Sequence, residues 1–163
     1  MSHQGMTRRD WIASVARTVA TGALLSAVLP RASRAESGAP ARIIVYKDPS
    51  CGCCTKWVEH LRSMGFHPEV HDRSDMDALK RSLGVPAALQ SCHTAVAGRY
   101  VIEGHVPAAD VKRLLAAAPK EVIGIAVPGM PAGSPGMEVS GRAERYDVIA
   151  FAADGTTKLF AQH

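Results

Sequence analysis

Three of the four cysteines fall within four positions, Cys51-Gly52-Cys53-Cys54, and the fourth is Cys92. A thiolate is both a nucleophile and a soft metal ligand, so this grouping admits two chemistries. Cys51 and Cys54 have the Cys-x-x-Cys spacing of a dithiol redox pair. Cys53 between them and a distant Cys92 exceed what a two-thiol exchange needs. Four convergent thiolates select copper(I), zinc or an iron-sulfur cluster, and the compact motif departs from the paired-knuckle spacing of structural zinc sites. Adjacent Cys53 and Cys54 do not readily face one tetrahedral ion, which favours bridging thiolates and several ions. Copper(I) is the expected occupant and zinc the alternative. The plain structural alternative is a pair of disulfides stapling the domain.

Softer and borderline donors lie nearby in sequence. His93 follows Cys92, and on an alternating strand only one of the two would face a shared site. His105 precedes Val106-Pro107 at a helix start, where a capping or surface role is the plain alternative. Met130 and Met137 each sit in a Pro-Gly-Met context inside a Gly/Pro-dense loop. Their thioethers suit copper(I), and equally serve as apolar plugs anchoring the loop. His60 falls off the apolar face of its helix and reads as solvated, and His67 and His71 carry little signal.

The elements that must position these residues follow from pattern. Arg42 to Lys47 is a β-branched run bounded by Asp48-Pro49 and reads as a central strand. Cys54, Trp57, Val58, Leu61 and Met64 have helical spacing, and Gly65 closes that helix. The cluster therefore lies at a helix start, where unpaired N–H groups and the dipole favour thiolate. Phe66 to His71 reads as a second strand. Ser74-Asp75-Met76-Asp77 resembles a capping box opening a helix with Met76, Leu79 and Leu83 on one side. His93 to Gly98 and Arg99 to Gly104 read as strands joined at Gly98, and Pro107 to Ala118 as a helix. If the strand from His93 lies beside the first strand, Cys92 reaches the cluster's end of the sheet. Beyond Pro119, Val127 to Met137 is too rich in Gly and Pro for regular structure, and Tyr146–Ala153 and Thr156–Phe160 flank an Asp154-Gly155 turn as a terminal hairpin. The expected class is α/β, a mixed sheet flanked by helices with a Gly/Pro/Met loop and a β-hairpin after it.

The first 35 residues have a different texture. Arg8-Arg9 precede an apolar stretch from Thr18 to Leu29, Pro30 and small residues at Ser33 and Ala35. This is the layout of a secretory signal of twin-arginine type, with cleavage expected after Ala35 and a linker over 36–41. The apolar stretch is short of the roughly 20 residues a membrane span needs. An uncleaved amphipathic anchor is the alternative. Removing the leader takes five of the 19 basic residues and one of the 15 acidic ones, leaving residues 36–163 neutral by count. A nucleic-acid partner is therefore not expected, and the cysteines would function in an oxidising periplasm.

Five stretches together resemble one family: Val45-Tyr46-Lys47-Asp48-Pro49-Ser50-Cys51-Gly52-Cys53-Cys54, Trp57-Val58-Glu59-His60-Leu61, Ser91-Cys92-His93-Thr94-Ala95, Gly104-His105-Val106-Pro107 and Val127-Pro128-Gly129-Met130-Pro131. In this order they are similar to the CopG-type exported metal-binding proteins, from about Arg42 to the terminal hairpin. The resemblance implies a thioredoxin-like fold, a role in copper resistance and a cysteine-ligated copper site able to support electron transfer. Carried over by position, it implies metal ligands at Cys51, Cys53, Cys54 and Cys92, with His93, His105, Met130 and Met137 as further candidates. The implied partners are copper ions and other periplasmic copper-handling proteins. Cys92-His93 stands before the third strand where thioredoxins carry a cis-proline, which weighs against a generic disulfide reductase.

Overall fold

The computed structural model describes residues 42–141 and 143–163, so the leader, its cleavage point and the linker lie outside the described residues. The elements run β1 Arg42–Lys47, α1 Gly52–Ser63, β2 His67–Asp72, α2 Met76–Ser82, a 3-10 turn at Ala87–Leu89, β3 His93–Ala97, β4 Tyr100–Glu103, α3 Ala108–Ala117, β5 Gly124–Ala126, β6 Asp147–Phe151 and β7 Thr157–Gln162. The strands form one mixed sheet of seven in the order β2-β1-β3-β4-β5-β6-β7. This is the expected α/β class, and its first four strands are compatible with the thioredoxin-like arrangement. Among the described residues, no helix is long and apolar enough to cross a membrane.

Alternation along the strands divides the interior into two faces. Ile43, Val45, Ala95, Ala97, Ile102, Ile125, Val148 and Ala150 pack with Trp57, Val58 and Leu61 of α1 and Val111 and Leu114 of α3. Val101, Ala126 and Phe151 point the other way and pack with Val85 and Leu89. Fully burying an aliphatic or aromatic side chain contributes about 1.5–3 kcal/mol, so the first face carries most of the stabilisation. Trp57 also donates its indole N–H to the Val106 carbonyl at 2.8 Å, which ties α1 to the turn before α3.

Three local readings need correction. The Ser74-Asp75 stretch does not cap α2 through a side chain. Asp75 is instead held by Arg73, whose guanidinium donates to both carboxylate oxygens at 2.7 and 2.6 Å. On α2, Met76, Leu79 and Leu83 are half-buried and the fully buried residue is Lys80. Between α3 and the hairpin lies a strand absent from the pattern reading, β5. Three residues are too few to show alternation, yet β5 pairs parallel to β4 and antiparallel to β6 and so joins the hairpin to the sheet.

The central register is Lys47 opposite His93 in an antiparallel β1/β3 pair, followed by Thr94 opposite Glu103 in β3/β4. It places the segment before β3 beside the segment after β1, as the expected convergence of Cys92 and the cluster requires. Gly104 turns the chain out of β4 with φ of +71°, and a Cβ there would lie 2.6 Å from both the Ser91 side chain and the Val127 carbonyl. Gly104→Ala is expected to destabilise by about 2–4 kcal/mol through combined backbone strain and overpacking. Urea denaturation checks this, and a loss below about 1 kcal/mol would mean that the crowded turn relaxes freely.

Candidate metal centre

Cys51 is the N-cap residue of α1, and Gly52, Cys53 and Cys54 form its first turn. No acidic residue occupies that turn, so no carboxylate of the turn competes with the sulfurs for the positive end of the helix dipole. Cys54 is fully buried on the helix's inner face, while Cys51 and Cys53 are half-buried. The four cysteine sulfurs lie within 4.8 Å of one another. Cys53 Sγ is 3.4 Å from Cys51 Sγ and 4.0 Å from Cys92 Sγ. Two thiolates sharing a tetrahedral ion at about 2.3 Å are separated by roughly 3.8 Å, so the Cys53–Cys92 spacing suits a common ion.

The four are not all free thiols, as the metal-site reading had them. Cys51 and Cys54 form a disulfide, with Cα atoms 5.4 Å apart, while Cys53 and Cys92 remain free. A single bridge within one helical turn replaces the two disulfides of the stapling alternative. Binding through all four sulfurs therefore begins from the reduced form of this pair.

Cys92 is the meeting point of sulfur and nitrogen donors. His105 Nε2 lies 3.1 Å and His93 Nδ1 3.3 Å from its sulfur. His105 is completely buried, which corrects the surface or capping alternative. Its Nδ1 lies 2.8 Å from the Pro135 carbonyl. Only a protonated nitrogen satisfies that acceptor, so the hydrogen bond leaves the Nε2 lone pair for Cys92. His93 does not point away from Cys92, because Cys92 lies in the bend before β3 and strand alternation has not begun. The His93 ring rests on Trp57 with centroids 4.3 Å apart, and its buried Nε2 has no hydrogen-bond partner among the described residues. An orphaned buried ring nitrogen and a histidine pinned through its second nitrogen both fit a site that receives a cation.

Burial raises the Cys92 thiol to about 12, with the neighbouring Cys53 as the next cause. The helix start that was expected to favour thiolate holds Cys51, Cys53 and Cys54. Cys92 lies outside it, where desolvation prevails and its thiolate requires a cation alongside. Burial likewise holds His93 well below the ordinary imidazole value, and His105 and Lys80 act in the same direction. His105 is lowered by burial too, against the opposing effect of the hydrogen bond it donates to the Pro135 carbonyl. His60 was expected to be solvated, but it accepts the first amide of α3 from Ala108 at 3.1 Å, and burial lowers it in the same way.

The Gly/Pro/Met loop is tied around the site. Ser91 donates its hydroxyl to the Gly129 carbonyl, Pro135 accepts from His105, and Gly136 packs against the first turn of α1. At Gly136, φ is +85° and a Cβ would meet the Cys53 carbonyl and Trp57 nitrogen at 2.8 Å, so only glycine allows this approach. Within the loop, Met130 is 53% exposed and Met137 half-buried.

The depressed imidazoles give a pH dependence of definite sign. As pH falls through about 6.5, the unfolded chain takes up protons that the folded chain refuses, so stability present above that pH is lost below it. The metal-free protein is therefore expected to show a lower urea midpoint at about pH 5.5 than at about 7.5, with a smaller drop in His93→Gln. Equal drops in the two proteins would show that His93 does not control the effect.

Two solved structures share the fold. A structure titled "Copper resistance protein copG- Form 2" aligns with a TM-score of 0.73 and 44% identity, covering 76% of this chain and 98% of that one. The structure titled "Copper resistance protein copG- Form 1" aligns with a TM-score of 0.72 at the same identity and coverage. The family profile described as "Protein of unknown function, DUF411" matches residues 89–137, a span that includes Cys92, His93, His105 and the loop. No curated protein sequence gives a significant match. With that identity sustained over nearly the full length of the solved chains, and with the cysteine cluster seated at the start of α1, this chain belongs to the CopG family of copper resistance proteins.

Proposed function

We propose that this chain is a periplasmic copper(I)-binding protein acting in copper homeostasis or resistance, with the metal as its cargo. The observation that carries the reading is the convergence of four sulfurs within 4.8 Å, three from one helical turn and one from the bend before β3. Soft thiolates prefer copper(I), and the spacing of Cys53 between Cys51 and Cys92 favours bridging sulfurs and more than one ion. In the reduced protein Cys51, Cys53, Cys54 and Cys92 supply these sulfurs, and His105 and His93 complete the sphere around Cys92. Met130 and Met137 close it if the loop draws in. The proposed export route is the twin-arginine leader, cleaved near Ala35. Proposed partners are other periplasmic copper-handling proteins.

A second reading is favoured by one observation, the Cys51–Cys54 disulfide at a helix start. In a thiol-disulfide oxidoreductase, half-buried Cys51 would attack and fully buried Cys54 would resolve the mixed disulfide. Cys92 separates the two readings because it belongs only to the metal site. A third, a zinc-stabilised domain, requires that chelation unfold the protein.

Anaerobic copper(I) titration of the reduced protein against a competing chelator is expected to give more than one ion per chain. Cys92→Ser is expected to weaken binding at least tenfold, about 1.4 kcal/mol. A stoichiometry of one or fewer would rule out the bridged cluster. No competition for copper together with intact thiol exchange in Cys92→Ser would establish the oxidoreductase. In the same titration, Met130→Leu combined with Met137→Leu tests the loop thioethers, and unchanged affinity would reduce them to apolar anchors.

A further inference from the structure

On the sheet face opposite α1, a set of buried polar groups lies directly behind the metal centre. Lys80 of α2 is 3% exposed, and Glu103 and Thr94 are completely buried. Lys80 Nζ donates to Thr94 Oγ1 at 2.8 Å and pairs with Glu103 Oε1. Glu103 Oε1 also accepts the Ser91 amide at 2.7 Å, and its Oε2 accepts the Thr94 hydroxyl at 2.7 Å. Lys80, Thr94, Glu103 and the Ser91 amide each thus have a partner inside the network.

The placement of these groups matters more than their number. Ser91 immediately precedes Cys92, Thr94 immediately follows His93, and Glu103 is two residues before His105. The network therefore holds both ends of the Cys92–His93 corner and the start of the His105 turn from one point. Thr94 and Glu103 face each other in the β3/β4 register, and that pair alone would keep the two strands aligned. The Ser91 amide is different, since it lies outside the strands and Glu103 is its acceptor.

A buried ion pair is a poor way to stabilise a fold. Removing two charges from water costs much of what their attraction returns, and well-packed apolar replacements of similar volume are often at least as stable. Where such a pair is fully hydrogen-bonded, its firmer contribution is geometric specificity. On the copper-binding reading, on which this inference rests, we propose that Glu103 is a positioning residue and that Lys80 serves only to balance its buried charge. Glu103 braces the Cys92–His93 corner by accepting the Ser91 amide and the Thr94 hydroxyl, so that the Cys92 sulfur stands at bridging distance from Cys53 and beside His105. Neither residue touches the metal.

Two variants of the full chain test this, each titrated reduced with copper(I) against a chelator beside the unaltered protein. In Lys80→Met/Thr94→Val/Glu103→Leu the network becomes apolar. Its thermal midpoint is expected to equal or exceed the original, while copper(I) affinity falls at least tenfold. In Lys80→Met/Glu103→Gln the charges are gone but the Gln side-chain carbonyl still accepts the Ser91 amide, and affinity is expected within about threefold of the original. Affinity retained in the apolar triple, or lost equally in both variants, would overturn the brace. Amide hydrogen exchange at Ser91 in the unaltered protein gives a reading that does not depend on any variant folding. Protection matching the β3/β4 ladder supports the brace, and exchange at the rate of an exposed loop overturns it. If the unaltered protein itself fails to bind copper(I), the functional reading has failed instead of the brace.

Discussion

The antiparallel pairing of β1 with β3 is the constraint on which the site depends. Lys47 opposite His93 fixes where each strand ends, and the cysteines lie just outside those ends. A slip of β3 by one residue against β1 would turn His93 away from Trp57 and move Ala95 and Ala97 off the core face. The hydrophobic alternation that builds the core thereby also sets the distance between the two sulfur-bearing segments. Packing and chemistry share one register, so neither can be altered alone.

Desolvation is the second theme. Cys92, His93 and His105 are drawn out of water, and the interior penalises their charged forms, keeping thiol and imidazoles neutral. Their donor atoms already converge, so a cation entering there meets neutral ligands in place. The displaced thiol proton then balances the incoming charge. The same low-dielectric setting strengthens the hydrogen bond that His105 donates to the Pro135 carbonyl and that orients its ring.

Much of this was legible in the sequence for physical reasons. Strongly periodic segments such as Cys54 to Met64, and runs of β-branched residues such as Arg42 to Lys47, announce their structure because their burial is one-sided. Thiol type and spacing marked the cysteine cluster as a site without choosing its chemistry, and the place of Cys92 followed from the strand order. Long-range polar partnerships were not legible. Nothing in the pattern marks Lys80 as buried until Glu103 is seen beside it, and His60 reads as solvated until it is found to accept the Ala108 amide. His93 was misassigned because alternation was extended one residue before its strand begins. β5 was missed because three residues carry no period. The Cys51–Cys54 bridge was present only as a spacing, and spacing does not decide between a disulfide and a pair of ligands.

That bridge spans a single turn, from the N-cap of α1 to its third residue. A crosslink between positions so close in sequence removes little freedom from the unfolded chain, since the entropy it takes away grows with the length of loop closed. The apolar core contacts of α1 run through Trp57, Val58 and Leu61. Opening the bridge changes the inventory of free thiols at the site from two to four. On the proposed copper-binding reading, the number of sulfurs offered to the metal then follows the electron supply of the surroundings.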